Sequence, residues 1–519
     1  MNKRTAFLLI ALGVSATAMA QDEHDALRYS RLLYGGTART QAIGGAAGSL
    51  GGDISATHIN PAGLGFFKTS EANITPGFYF KNTEFDFLGN KGTDSKSGAS
   101  LGNIGVVFGI PNRSSGSKFR NFAVAIDYAR TADFNNRSYM SGTNTLTSFT
   151  DRWVEQLQPG GNPVPFNDAT GNFVDGASLG LNTYVLDYDA DNNNGVERYY
   201  TVVNPTNPGG IGQMDEIKER GGINEFSLGF AGNYNEQFYF GLSLNFPRID
   251  YERERSFTEK DQSNDTDNDF ESMKYSESLS TDANGFNAKL GLIYSPMPSL
   301  RIGANFHTPT WFSMHDAMTA RVDARVEGMG THFQRTEDLT DGFPLEYDYT
   351  LKTPWRAGGS VSYIFGTNAD VKQQHGFITA DVEYVDYAST KYRFNKGAAE
   401  DRAAADARNR VIENAYTGAV NVRLGGELKF NVLAVRAGFS YYGNPYSSDF
   451  SDVDGSIKRV SGGLGYRNRG FFSDLTYVHT LNSKTTYNPY VLNESQYAAP
   501  VANGSLSGGN IVLTVGFKF

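Results

Sequence analysis

From about residue 71 onward the chain falls into segments in which apolar and polar side chains alternate, broken by Gly, Asn, Asp or Pro. The last segment is the clearest. Ile511, Leu513, Val515, Phe517 and Phe519 fall on one side, and Val512, Thr514, Gly516 and Lys518 on the other. A period of two belongs to a β-strand, whose successive side chains point to opposite faces. Fourteen such segments begin near Glu71, Ser100, Phe119, Asn224, Phe238, Glu277, Leu300, Glu346, Gln374, Ala415, Leu433, Ser456, Phe471 and Asn510. The breaks between them alternate in length. Short ones fall at Asn112–Lys118, Asn235–Gln237, Pro296–Ser299, Thr367–Gln373, Asn431–Val432 and Arg467–Gly470. Long ones fall at Asn135–Gly222, Lys260–Ser276, Glu327–Leu345 and Asn395–Glu413.

Alternation alone also fits a soluble sandwich. An even strand number with short turns at one end and long loops at the other fits a membrane barrel, whose first and last strands both end on the periplasmic side. The pattern therefore predicts an all-β protein: a transmembrane antiparallel β-barrel of about fourteen strands, residues 71–519. At about 10 residues per crossing, fourteen strands need roughly 140 residues, and loops and strand extensions take up the rest. Tyr and Phe near segment ends (Phe78-Tyr79-Phe80, Phe238-Tyr239-Phe240, Tyr441-Tyr442) are expected as interfacial girdles. Phe519, an aromatic at the end of the last segment, is expected inside that strand. A barrel this wide must be plugged or it leaks.

Composition narrows the class. The chain has 519 residues, with Gly 58, Tyr 29, Phe 36, Trp 3 and Cys 0. The apolar run near the N-terminus falls short of the roughly 18 residues of a spanning helix. Lys3 and Arg4, the apolar stretch Ala6–Val14 and the Ala18-Met19-Ala20 site read as a secretory signal, residues 1–20. Without Lys3 and Arg4 the net charge moves from −10 to −12, a balance that argues against nucleic-acid binding. The absence of cysteine removes disulfides, thiol catalysis and thiolate metal sites.

Residues 21–70 precede the first strand and are rich in Gly and Ala, with Gly35-Gly36, Gly44-Gly45 and Gly51-Gly52 at short intervals. They are expected to form a plug inside the lumen, with a short helix over 26–34. Within them, residues 38–66 read ARTQAIGGAAGSLGGDISATHINPAGLGF. Gly44-Gly45-Ala46, Asp53, Ser55-Ala56 and Asn60-Pro61-Ala62-Gly63 make this stretch resemble the hatch of the FadL-type outer-membrane transporters. The resemblance implies passive uptake of hydrophobic compounds such as long-chain fatty acids or aromatics. It implies a lumen pocket above the hatch, gating by Asp53, Asn60, Pro61, Ala62 and Gly63, and a sideways exit through the barrel wall. His58, two residues before the Asn-Pro-Ala turn, joins the gating candidates, with a structural role as the plainer reading. The resemblance also implies an outer-membrane location, contact with lipid and lipopolysaccharide, and Phe519 as a signal to the barrel-assembly machinery. The segment Phe119–Phe134 has no Gly or Pro to kink a wall strand, so the gap is implied by the resemblance alone. The alternative is a FadL-related barrel that serves as a protein-secretion shuttle or scaffold, binding a protein partner at its outer loops.

Other chemistry is weak. Seven His (24, 58, 307, 315, 332, 375, 479) form no HExxH and no metal spacing, and no G-x-S-x-G elbow occurs. No metal, cofactor or catalytic residue is expected. Asp189, Asp191 and Asn193 resemble the front of a calcium loop, but Asn194 stands where the turn glycine belongs and Tyr200 where the closing Glu belongs. Residues 397–410, rich in Ala with alternating charge, predict a helix among the outer loops.

Overall fold

The computed structural model describes residues 23–519 apart from 34, 115, 191–196, 264, 367–374, 395–398, 450–452 and 496. The expected signal, residues 1–20, lies outside the described residues, as do the Thr367–Gln373 turn and residues 191–196 of the calcium-like loop. Fourteen antiparallel strands form the wall. They are β1 (Glu71–Phe87), β2 (Asn90–Pro111), β3 (Phe119–Asp133), β4 (Ile211–Tyr234), β5 (Phe238–Asp261) and β6 (Phe270–Met297). Three strands follow that are interrupted: β7 (Leu300–His307 and Trp311–Val326), β8 (Leu345–Lys352 and Arg356–Phe365) and β9 (Gly376–Asp386 and Lys391–Phe394). The last five are β10 (Gly418–Phe430), β11 (Leu433–Tyr442), β12 (Ile457–Asn468), β13 (Phe471–Tyr487) and β14 (Ala502–Lys518). Each pairs with its neighbours in sequence, and β1 pairs with β14 from Glu71↔Lys518 to Asp86↔Asn503, which closes the barrel. Closure removes the unpaired edges that hydrocarbon would not tolerate.

The breaks in β7 and β8 have a common cause. Pro309 and Pro354 sit within them, and proline lacks the N–H that a ladder needs. The two halves nevertheless continue one wall position: β6 pairs first with Leu300–His307 and then with Trp311–Val326.

The alternation works as the sequence suggests. Ile511, Leu513 and Phe517 of β14 are exposed, whereas Val512 and Thr514 are buried. Around the wall, Phe78, Phe108, Phe122, Phe230, Phe240, Leu290, Ile302, Val382, Leu424, Val435, Leu464 and Leu475 form an outward apolar band. Among the described residues no helix is long and apolar enough to cross a membrane; the strands do so. The band ends well short of the strand tops. In β5, Phe238, Phe240 and Phe246 face outward, and then Arg248, Asp250, Glu252 and Glu254 take the same face. Strands β4, β5 and β6 run 24, 24 and 28 residues, more than twice the roughly 10 that a crossing uses. The excess forms a tall extramembrane wall, so the strands begin and end farther into the supposed loops than alternation indicated.

Several expectations need correction. Tyr79, Tyr239 and Tyr442 are buried inside the barrel rather than placed in a girdle, because each occupies an inward position of its strand. The last strand ends at Lys518. Phe519 lies just beyond it, tied through its backbone to Ser70 (N–H to O, 3.0 and 3.1 Å). The first helix, α1, spans Glu23–Ser30, so Leu32 and Leu33 fall outside it. The outer-loop helix spans Ala399–Ala415, and residues 397 and 398 lie outside the described set.

The band makes a direct prediction. Leu424→Lys should destabilise the barrel by about 2–4 kcal/mol, read as the urea midpoint of folding into lipid vesicles. Glu254→Lys, beyond the band, should leave that midpoint nearly unchanged.

Candidate functional site

The described residues between 23 and 67 lie within the barrel, and Lys68–Ser70 reach its rim. After α1, the chain forms α2 (Ala38–Ala42), α3 (Ala56–Ile59) and a 3-10 turn, Pro61–Phe66. Most of this segment is irregular, so its buried N–H and C=O groups need partners that no ladder supplies. The lower wall provides them. The Ala38 N–H donates to Thr514 Oγ1 (2.7 Å), the Ala38 C=O accepts from Thr476 (2.7 Å), and the Ala42 C=O accepts from Ser461 (3.0 Å). The Gly48 N–H donates to Asp381 (2.9 Å), and Arg301 donates to the Leu50 carbonyl. These partners come from β14, β13, β12, β9 and β7, which places the segment across the lumen. Glycine allows the approach. A β-carbon at Gly241 would overlap the Pro61 carbonyl carbon, and one at Gly438 would overlap the backbone of Ile43 and Gly44.

The sequence-derived residues fall in four settings. Asn60 and Pro61 make a turn wedged against the wall. The Asn60 Oδ1 accepts the Ala62 N–H (3.1 Å) and so caps the 3-10 turn, which Pro61 opens with its preset φ. The Asn60 Nδ2 donates to the Gly48 carbonyl (2.6 Å) and reaches the Leu292 and Ala304 carbonyls of β6 and β7 (3.4 and 3.3 Å). Ala62 and Gly63 are fully buried, and a β-carbon on Gly63 would press on Ala56 at 2.9 Å. Asp53 plays a separate part within the segment. It accepts from Thr37 Oγ1 (2.8 Å) and the Ser55 N–H (3.0 Å) and ties the start of α2 to the start of α3. Phe519 is remote from both, at the periplasmic rim.

His58 carries the strongest wall contact. Its Nδ1 lies 2.8 Å from Glu225 Oε1 of β4, and its Nε2 lies 2.6 Å from Asp127 Oδ2 of β3. Ionised carboxylates only accept, so both ring nitrogens must donate and the ring is an imidazolium. Burial opposes that charge, but the bonds to Asp127 and Glu225 outweigh it and raise the His58 pKa above 6.5. The carboxylates have further partners: Asn103 and Thr57 donate to Asp127, and Asn287 and Lys289 donate to Glu225. Neither Asp127 nor Glu225 was legible as a partner of His58, nor Lys289 as the second cation on Glu225, because the three lie on separate strands far along the chain.

Above this polar floor the lumen changes character. Inward positions higher on β5–β9 carry Tyr251, Leu279, Phe312, Met314, Met318, Tyr349 and Tyr392, which line an apolar chamber filled by Leu27 and Tyr29 of α1. Between chamber and floor lies a small cavity of about 30 Å³ beneath Tyr29, bordered by Ile223, Phe312, Lys289 and Arg356.

The wall beside His58 has a seam. β2 pairs with β3 only between Asn103↔Ala129 and Pro111↔Asn121. Beyond that, β2 stays paired with β1 up to the Asn90 turn. β3 bulges between Arg130 and Ala132, and its continuation Asn136–Asn144 pairs with β4. Among the described residues no backbone pairing joins β2 to the chain past Ala129. The break arises from a bulge, which needs neither Gly nor Pro, so a search for those residues could not find it. On the lipid face next to the seam is an open, apolar concavity of about 550 Å³ lined by Ile74, Ile104, Ile126, Tyr128, Phe226 and Phe517.

Two predictions follow from the floor. His58→Ala leaves two buried carboxylates without their shared cation, a loss of about 3–5 kcal/mol, and should raise the frequency of open bursts in planar-bilayer recordings. For a raised pKa the contact is complete below 6.5 and is lost as pH climbs through the raised value. Wild-type open bursts should therefore increase at alkaline pH, and His58→Ala should lose that dependence. Gly241→Val should permit barrel assembly, seen as retained heat-modifiable migration in gels, yet displace the Asn60–Pro61 turn and make residues 38–66 accessible to protease.

No family model and no curated protein sequence matches the chain. Its structure is similar to a FadL homologue of Pseudomonas aeruginosa, at 13% identity, covering 93% of this chain and 98% of that one, with a TM-score of 0.55. It is also similar to the toluene transporter TodX of Pseudomonas putida, at 14% identity over 94% and 99% of the chains, with a TM-score of 0.51. A ΔS2 variant of the TodX monoaromatic hydrocarbon channel matches at 12% identity over 94% and 99%, with a TM-score of 0.52. With its closed wall of fourteen strands, its outward apolar band and its occupied lumen, the chain is an outer-membrane β-barrel with the fold of the FadL-type channels.

Proposed function

We propose that this barrel is a passive outer-membrane channel for small hydrophobic compounds. The observation that carries the reading is the order of surfaces inside the lumen. A chamber of aliphatic and aromatic side chains stands above a floor closed by the N-terminal segment. A channel for polar solutes would line its lumen with polar groups throughout, whereas an apolar solute gains by leaving water for a chamber of this kind. The N-terminal segment then acts as a hatch, with Asn60, Pro61, Ala62, Gly63 and His58 holding it to the wall and Asp53 holding it together. The exit is lateral, at the seam above Asn103 and Ala129, into the apolar concavity on the lipid face. Passage through the wall spares the solute a second crossing of water. The toluene transporter and the monoaromatic hydrocarbon channel of the same fold support this solute class. Long-chain fatty acids and monoaromatics are the two substrates to separate.

The second reading, a secretion shuttle or scaffold, draws on the tall extramembrane wall and the folded structure above it. It requires a stable protein partner in pull-downs and uptake that deletion leaves unchanged.

Proteoliposomes decide between them. Reconstituted protein should accelerate uptake of radiolabelled oleate or toluene over protein-free vesicles, and uptake equal to the protein-free control removes the channel reading. Pro61→Leu frees φ and restores an N–H at the start of the 3-10 turn. Its barrel should assemble normally while its uptake rate changes; an unchanged rate would show that the turn is not a gate.

A further inference from the structure

The outer mouth of the lumen is closed as well, by parts that the hatch does not include. The connection between β3 and β4 folds into a roof whose first helix, α4, spans Asp151–Leu157. Phe149, Trp153 and Leu157 pack on Phe257 of β5, Tyr275 of β6 and Val322 of β7, all inward-facing. Phe149 stacks on Phe257 at 4.5 Å between ring centroids. The other side of the roof comes from the connection between β13 and β14. Its Tyr490 meets Phe149 edge-on at 5.8 Å, and its hydroxyl lies 2.9 Å from Thr147 Oγ1 and accepts from Gln213 Nε2 at 3.0 Å.

The outer rim of this roof is joined by a second, exposed polar clasp. The Glu155 carboxylate of α4 accepts the N–H groups of Asn493 (2.8 Å), Glu494 (2.9 Å) and Ser495 (2.9 Å). In return the Glu494 carboxylate accepts the Gly160 N–H at 2.8 Å. Three consecutive N–H groups on one carboxylate form a nest for an anion. The clasp joins two connections that leave the barrel from different strands, so the chain itself does not hold them together there. It is also exposed, and water can replace every bond it makes, unlike those of the buried Asp127–His58–Glu225 site. The clasp's own bonds can therefore part without stranding buried polar groups, whereas Tyr490 beneath it keeps its buried bonds to Thr147 and Gln213.

We propose that the clasp between Glu155 and Asn493–Ser495 is the outer gate of the lumen, through which solute reaches the chamber from the cell exterior. The gate rests on the channel reading for what passes through it, but its opening can be measured without any solute. The chamber lies directly beneath: Met318 belongs to it, and Ala320, two residues on along the same face of β7, belongs to the roof contact.

The chain has no cysteine, so introduced thiols report alone. Glu155→Cys with Glu494→Cys is oxidised to a disulfide, verified by mass spectrometry, in a chain that also carries Met318→Cys. A membrane-impermeant maleimide is added outside intact cells. The locked protein should label at Met318→Cys roughly tenfold or more slowly than after dithiothreitol, a difference in barrier of about 1.4 kcal/mol. Oleate uptake should fall and recover in step. Glu155→Ala with Met318→Cys, which needs no crosslink, should label faster than Met318→Cys alone. Equal labelling of the locked and reduced forms would overturn the gate, whatever uptake does. Slowed labelling with no uptake in either form would leave the gate standing and remove the channel reading.

Discussion

An irregular chain inside a barrel has backbone N–H and C=O groups that cannot be left unpaired, and the wall that surrounds it must answer them. Most of the lower lumen follows from that constraint. Thr514, Thr476, Ser461 and Asp381 point inward because Ala38, Ala42 and Gly48 offer polar backbone groups there. Gly241 and Gly438 lack side chains where the segment comes closest. Even Asn60 mainly serves backbone, since it caps its own turn and reaches three carbonyls. The buried charges obey the same logic. Asp127 and Glu225 are tolerable in the interior because His58, Lys289, Asn103 and Asn287 all donate to them.

The upper lumen is under no such constraint and is built differently. α1 satisfies its own backbone, so its surroundings can be apolar, and Tyr251, Phe312, Met314 and Tyr349 enclose Leu27 and Tyr29. Where α1 does present charge, the wall responds locally: Arg28 pairs with Asp25 and Glu219 and lies over the Tyr251 ring at 4.6 Å. The lumen is thus stacked from floor to roof as polar seat, apolar chamber and aromatic cap. The polar seat meets the wall at β3, the strand that loses its partner just above Asp127. The attachment of the N-terminal segment and the wall seam share that strand.

Much of the barrel was legible in the sequence. Eleven of the fourteen segment starts fall on wall strands, Ala415 and Ser456 fall just before theirs, Gln374 lies outside the described residues, and five of the six short turns fall where the strands reverse. Period-two alternation survives because each strand keeps one face in lipid, and a slip of one residue would turn that face inward. Strand ends were less legible. β4–β6 continue past the lipid band with charged outward residues, so polarity looked like loop where it was extramembrane strand. The aromatic pairs misled for a related reason. Phe78 and Tyr79 are neighbours in sequence, but one faces lipid and the other the lumen.

The site was legible only as a list. The N-terminal motif could be recognised by its residues, and Asn60 before Pro61 carried a local meaning as a cap and a helix start. What those residues press against is non-local: the partners of His58 lie 69 and 167 positions away, and nothing short-range encodes such a meeting. By itself the sequence determined the wall, because lipid on one side imposes a repeating local choice at every strand residue. Only the tertiary structure decided the floor, the seam and the roof. Each depends on which inward faces meet across the lumen, and strand order, register and the β3 bulge between Arg130 and Ala132 set that.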